Sequence, residues 1–150
     1  LGNILALLSK LRPTGQTEIA KNLQRIAAMI QHRSLVMIFS DLLAEGGPVI
    51  DALHMLRHSG HDVILFHVMH ESEVNFPFDG MVHIRDPETG ETMLVDAAGI
   101  RGDYLDSVNE LREYFRKECL SAGVDYVALD TSIPFDRALV EYLSQRKARF

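Results

Sequence analysis

Leu35-Val36-Met37-Ile38-Phe39-Ser40-Asp41 is the stretch on which the fold turns. Its uninterrupted apolar run, bounded by Ser34 and by Ser40-Asp41, is too short for an ordinary helix. It also lacks the alternation of a strand with one wet face. The run therefore reads as a strand buried on both faces, of the kind found centrally in a parallel sheet. Beyond it, a Gly46-Gly47 turn precedes Pro48, which suits a first helical position, and a stripe of Val49, Leu53 and Leu56 ends at Gly60. Val63-Ile64-Leu65-Phe66 then repeats the buried-strand pattern. Strand, helix, strand implies a right-handed βαβ crossover.

Working outward in both directions extends the same organisation. Upstream, residues 3–11 carry Ile4, Leu8 and Leu11 at helical spacing and stop at Pro13. Residues 17–32 place Ile19, Leu23, Ile26, Ala27 and Ile30 on one helical face, with Gln16 or Thr17 at the start and Glu18 in the first turn, where the helix dipole favours an acid. Downstream, the alternating stretches 81–86 and 91–96 flank Pro87-Glu88-Thr89-Gly90 and read as a β-hairpin. A long helix is expected from about 103 to 122, with Tyr104, Val108, Leu111, Phe115 and Cys119 along one side. A third strand over 124–129 and a last helix over 134–145, carrying Phe135, Leu139 and Leu143, complete the series. The expected fold is α/β: part of a doubly wound, Rossmann-like parallel sheet with helices on both faces and an inserted hairpin.

Composition limits what such a domain can do. The 150 residues are about one domain's worth, and 47% hydrophobic with 24% charged residues is ordinary for a globular protein. A net charge of −6 and a pI near 5.6 offer no basic footprint for a phosphate backbone, so nucleic acid is not an expected partner. No apolar run approaches the roughly 18 residues of a membrane span. A single cysteine, Cys119, cannot form an internal disulfide, and no Cys-x-x-Cys spacing suggests structural zinc, which fits a reducing, cytoplasmic setting. The opening at Leu1, without a basic flank or a cleavage pattern, is consistent with a fragment or a processed product.

The order of these segments carries a family resemblance. Pro13-Thr14-Gly15-Gln16-Thr17 precedes a helix, an apolar strand closes in Ser40-Asp41, and Gly60-His61-Asp62-Val63-Ile64-Leu65 follows the next helix. Asp86-Pro87-Glu88-Thr89-Gly90-Glu91 then falls in the hairpin, and Tyr126 to Thr131, Pro134-Phe135-Asp136, Leu143 and Arg146 come near the end. Together they resemble the C-terminal half of a von Willebrand factor A-like domain of the domain-of-unknown-function-58 family, with residues 1–150 forming part of that single domain. The resemblance implies a metal-ion-dependent adhesion site for magnesium, in which Thr17 and Asp41 match the threonine and the aspartate of the ligand set. It also implies a non-enzymatic protein-binding module that works with a MoxR-type AAA+ ATPase. Hard oxygen ligands that leave a coordination position open suit that use of magnesium.

The sequence departs from that pattern in one respect: no Asp-x-Ser-x-Ser string occurs in it. The nearest, Asp130-Thr131-Ser132-Ile133-Pro134, lacks the last serine, follows the final strand, and reads as a helix cap. In the family order a further strand lies beside residues 35–39. Without it that strand has an unpaired edge, and the chain alone is expected to self-associate and to hold metal weakly or not at all. Thr17 also reads as a plain helix N-cap and Asp41 as a plain turn residue.

Other candidates are weaker. His54, His58 and His61 gather around one helix end, where His58 complements the dipole. His67, His70, Glu71 and Glu73 follow the second strand as a solvated loop or, less expectedly, a transition-metal site. Glu73 beside Phe76-Pro77 suits a surface role, and Cys119 reads as a partly buried thiol. There is no Gly-x-Ser-x-Gly elbow, and Gly46-Gly47 lacks a following Lys or Thr, so a Mg-dependent phosphoester hydrolase using Asp41 is the alternative and not the first reading.

Overall fold

A computed structural model describes residues 2–11, 18–86 and 89–147. Its elements run α1 (Gly2–Leu8), α2 (Ile19–Met29), β1 (Leu35–Ser40), α3 (Gly46–His58), β2 (Asp62–Met69), α4 (Glu71–Asn75), β3 (Met81–Arg85), β4 (Thr92–Asp96), α5 (Ala97–Ala122), β5 (Asp125–Asp130) and α6 (Phe135–Lys147). Among the described residues β1, β2 and β5 form a three-stranded parallel sheet in the order β1-β2-β5, and β3 with β4 forms a separate antiparallel hairpin. The fold is thus mixed α/β with a Rossmann-like parallel sheet.

Strand periodicity sends alternate side chains to opposite faces, and the two faces are treated differently. Ile38, Val63 and Leu65 point to the face covered by α2, α3 and α5. There they join Leu23, Val49, Ile50, Leu53, Leu56, Phe115, Cys119 and Val124 in one buried cluster. On the other face Ile64 and Phe66 are buried with Tyr142 of α6, flanked by the half-buried Val68, Val127 and Leu129. Phe39 stacks on Phe66 at 4.5 Å between ring centroids, yet the row Leu35, Met37 and Phe39 stays 54%, 54% and 62% exposed.

The central strand is therefore β2, and the expectation that residues 35–39 are central and buried on both faces is corrected. Among the described residues β1 pairs on one side only, with β2, from Leu35 opposite Asp62 to Ser40 opposite His67. No described helix lies over its second face. The apolar run recorded a strand with two apolar faces, but burial depends on what other segments lay over them.

Several boundaries also move. α5 starts at Ala97 instead of near residue 103, because the Asp96 side chain caps it by accepting from the Ala98 N–H at 3.2 Å. It ends at Gly123, whose φ of +69° is a left-handed C-cap. The segment expected as a solvated loop after β2 contains α4, closed by a reciprocal box: His70 Nδ1 accepts from the Ser72 N–H, and Glu73 accepts from the His70 N–H at 2.6 Å. Among the described side chains of α6, Tyr142 faces inward at 8% exposure, while Leu139 and Leu143 are 38% and 53% exposed. Tyr142 is held by its hydroxyl, which donates to Asp125 at 2.7 Å, and by Arg146, which bonds both that hydroxyl at 2.8 Å and Asp62 at 2.6 Å. The described side chains of α1, at residues 2, 3, 5, 6 and 7, are all exposed. No described helix is long and apolar enough to cross a membrane.

Candidate functional site

The carboxyl ends of the parallel strands are where open α/β sheets present ligand-binding groups, and Asp41 stands there, exposed, one residue past β1. Its turn is tightly specified. Asp41 Oδ1 accepts from the Leu43 N–H at 3.2 Å, and Ser40 Oγ accepts from the Leu42 N–H at 3.0 Å, a pair of short side-chain turns of the kind Asp and Ser favour. Between them Leu42 takes a φ of +56°, uncommon for a leucine, and is fully buried in the closed-face core. Burial of the leucine thus drives the turn inward and leaves the carboxylate outside.

The third support comes from β2. His67 is 1% exposed, and its Nε2 lies 3.1 Å from the Asp41 carbonyl while its Nδ1 lies 2.8 Å from the Tyr126 hydroxyl. A carbonyl only accepts, so Nε2 carries the proton. In a neutral ring Nδ1 is then the acceptor, and the Tyr126 hydroxyl donates to it. Burial is the main influence holding this imidazole below its ordinary value of 6.5, opposed by the Asp41 carbonyl. Arg112 lowers it further, and Asp41 and Glu73 raise it. Burial pushes the Tyr126 phenol up to about 12, against a hydrogen bond and positive charge from Arg112. Both groups are therefore neutral near pH 7. The Phe115 ring closes the site edge-on to His67, 6.2 Å away.

Thr17 lies outside the described residues. The histidine and acid candidates do not assemble a metal site: no group of three or more His, Cys, Asp or Glu suited to an ion occurs among the described residues. His67 is in the core, with both ring nitrogens engaged. His70 and Glu73 are spent on the α4 cap. His58 is exposed in the last turn of α3, consistent with a role at the helix end. His61 is 2% exposed, accepting from the Ser34 N–H at 3.3 Å, with Nε2 unpartnered. Asp130 accepts from the Ser132 N–H at 2.8 Å, and that bond is the main reason its carboxyl sits below the ordinary value, as suits a turn residue. Cys119 is fully buried, not partly, and burial pushes its thiol up to about 12.

The residues that sequence reasoning missed are His67, as a core residue, and Tyr126, as its partner. The signal was present: His67 sits two positions after Leu65, on the same face, inside the apolar run that continues through Val68-Met69. A groove of about 630 Å³ also runs along the outer edge of β5, from Asp125 to Asp130, between Arg116 and Leu120 of α5 and Tyr142 and Arg146 of α6.

No curated protein and no solved structure matches this chain. Residues 1–114, from α1 through most of α5 and including the Asp41 turn and His67, match the family described as "Protein of unknown function DUF58". With about three quarters of its length inside that match, the chain belongs to the DUF58 family.

Proposed function

We propose that this chain is part of a von Willebrand factor A-like, non-enzymatic protein-interaction module that presents Asp41 at the carboxyl end of its sheet to a partner. The supporting observation is the Asp41 turn itself: an exposed carboxylate on a backbone anchored by Ser40, His67 and the buried Leu42. Rigid presentation of one carboxylate is what a binding site gains from such anchoring. The C-terminal-half assignment is supported by the open edge of β1 and by its exposed row Leu35, Met37 and Phe39, which a further strand and its helix would cover.

The described residues alone do not fit a magnesium ion. One exposed carboxylate, with Oδ1 already accepting from Leu43, falls far short of an octahedral shell of hard oxygens. A magnesium-dependent adhesion site would therefore use Asp41 together with Thr17 and with ligands that this sequence, lacking Asp-x-Ser-x-Ser, does not supply. The proposed partner class is a MoxR-type AAA+ ATPase, and the proposed compartment is cytoplasmic.

The deciding experiment is co-purification of the protein with a co-expressed MoxR-type ATPase in magnesium and in EDTA, for wild type and for Asp41→Asn. Capture lost in EDTA and in the variant is the expected result. Equal capture in all arms refutes the role of Asp41. Magnesium-dependent turnover of a phosphate ester, abolished in Asp41→Asn, would instead establish the hydrolase alternative.

A further inference from the structure

We propose that His67 is a positioning residue for Asp41, and that Tyr126, two strands from Asp41, holds its ring in place. The proposal rests on the reading of Asp41 as the presented carboxylate and adds how that carboxylate is held. The path is continuous across the sheet: the Tyr126 O–H on β5 donates to His67 Nδ1 on β2, and His67 Nε2–H donates to the Asp41 carbonyl beyond β1. Each strand contributes one member, and the ring lies 1% exposed against Phe115.

The turn needs such a hold. A leucine at φ +56° is in a backbone conformation that L side chains rarely adopt, and only surroundings that over-determine the conformation keep it there. Two of the turn's restraints are local, from Ser40 and Asp41 side chains to N–H groups within two residues. Of the turn's side-chain hydrogen bonds, the one from His67 ties it to the sheet. Tautomer is decisive, because an Nδ1–H imidazole would turn an unprotonated Nε2 toward the Asp41 carbonyl and set two acceptors 3.1 Å apart. The Asp41 carbonyl, which can only accept, selects the Nε2–H form, and the Tyr126 hydroxyl, which can donate or accept, fixes the ring by donating to Nδ1.

The test uses the full chain and two NMR readouts. Long-range ¹H–¹⁵N correlation of the His67 ring reports the tautomer directly, and amide exchange at Leu42 and Leu43 reports the turn. Wild type is expected in the Nε2–H form. Tyr126→Phe is expected to leave His67 Nδ1 without its donor and to speed exchange at Leu42 and Leu43 by about fivefold or more, the factor that a hydrogen bond of about 1 kcal/mol is worth. Leu53 in the core should keep its wild-type exchange. His67→Gln, whose amide can donate to Asp41 and accept from Tyr126, should protect the turn better than His67→Phe.

An Nδ1–H ring in wild type overturns the proposal. So does unchanged exchange at Leu42 and Leu43 in Tyr126→Phe, or faster exchange at Leu53 to the same extent. Failure here is separable from failure of the function. If Asp41→Asn abolishes ATPase capture while Tyr126→Phe leaves the turn unchanged, the site stands and the latch falls. If capture ignores Asp41→Asn while the tautomer and exchange behave as expected, the latch stands and the site falls.

Discussion

The two faces of β1, an outer strand of the three-stranded sheet, have opposite fates. On the face under α2, α3 and α5, Ile38, Val63 and Leu65 are buried to within 7% exposure in a cluster spanning five elements. On the other, the neighbouring residues Leu35, Met37 and Phe39 of the same strand remain more than half exposed, although their hydrophobicity is no lower. Apolar character is a property of the residue, whereas burial is a property of what stands opposite. The candidate site belongs to the closed face: His67, 1% exposed, is packed against Phe115 of α5, while Tyr126 beside it is half-buried.

The largest expected effect is on that contrast itself. Leu53→Ala or Phe115→Ala on the closed face should lower stability by about 3–5 kcal/mol, read as a shift of the urea midpoint. Phe39→Ala should cost about 1 kcal/mol or less, since most of that side chain is already in water. A comparable loss at Phe39 would show that the open face is covered in solution.

Next in size is the docking of α6, which packs Tyr142 against Ile64 and Phe66 on the open side. Arg146→Ala removes the bonds to Asp62 and Tyr142 at once and should cost about 1–2 kcal/mol, with faster amide exchange confined to α6 and the β5 edge. Uniformly faster exchange would make α6 part of the closed-face cooperative unit.

Acid should weaken the closed face through His67. Its folded value lies below the ordinary 6.5, so the unfolded chain takes up the proton first. The stability is present in full above 6.5 and is lost as pH falls from there toward the lower folded value. The loss from about pH 7.5 to about pH 5.5 should be smaller in His67→Gln than in wild type. An equal pH slope in both proteins would remove His67 as the cause.

The smallest effects are on reactivity and association. Cys119, with its thiol pushed up to about 12, should resist thiol reagents in the folded chain and react on unfolding in urea. Ready labelling of native protein would place it nearer the surface. The unguarded edge and apolar row of β1 are expected to drive self-association of the 150-residue chain at micromolar concentration, weakened by Met37→Lys. Light scattering that shows the same monomer for both proteins would end that expectation.

Much of this architecture could be read from local chemistry. The apolar runs located β1 and β2, the Leu23 and Leu53 stripes located α2 and α3, and the alternation around residues 87–90 located the hairpin, because strand and helix periods are written in neighbouring residues. The start of α5 at Ala97 was missed because Asp96 ends a strand and caps a helix at once. Asp41 was recognisable as a turn residue at a strand end, and the structure places it exposed there. His67 was misread as part of a loop. Its role depends on Tyr126, 59 positions away, which becomes a neighbour only when β2 and β5 pair.

By itself, then, the sequence determined an α/β order of elements and the exposed, acid-bearing turn after β1, since both follow from residue type and short-range spacing. Tertiary structure alone decided which strand is central, which sheet face is closed, and which ring nitrogen of His67 carries the proton. Those outcomes depend on groups far apart in the chain meeting in a low-dielectric interior, where an unmatched donor or acceptor is costly and a single arrangement survives.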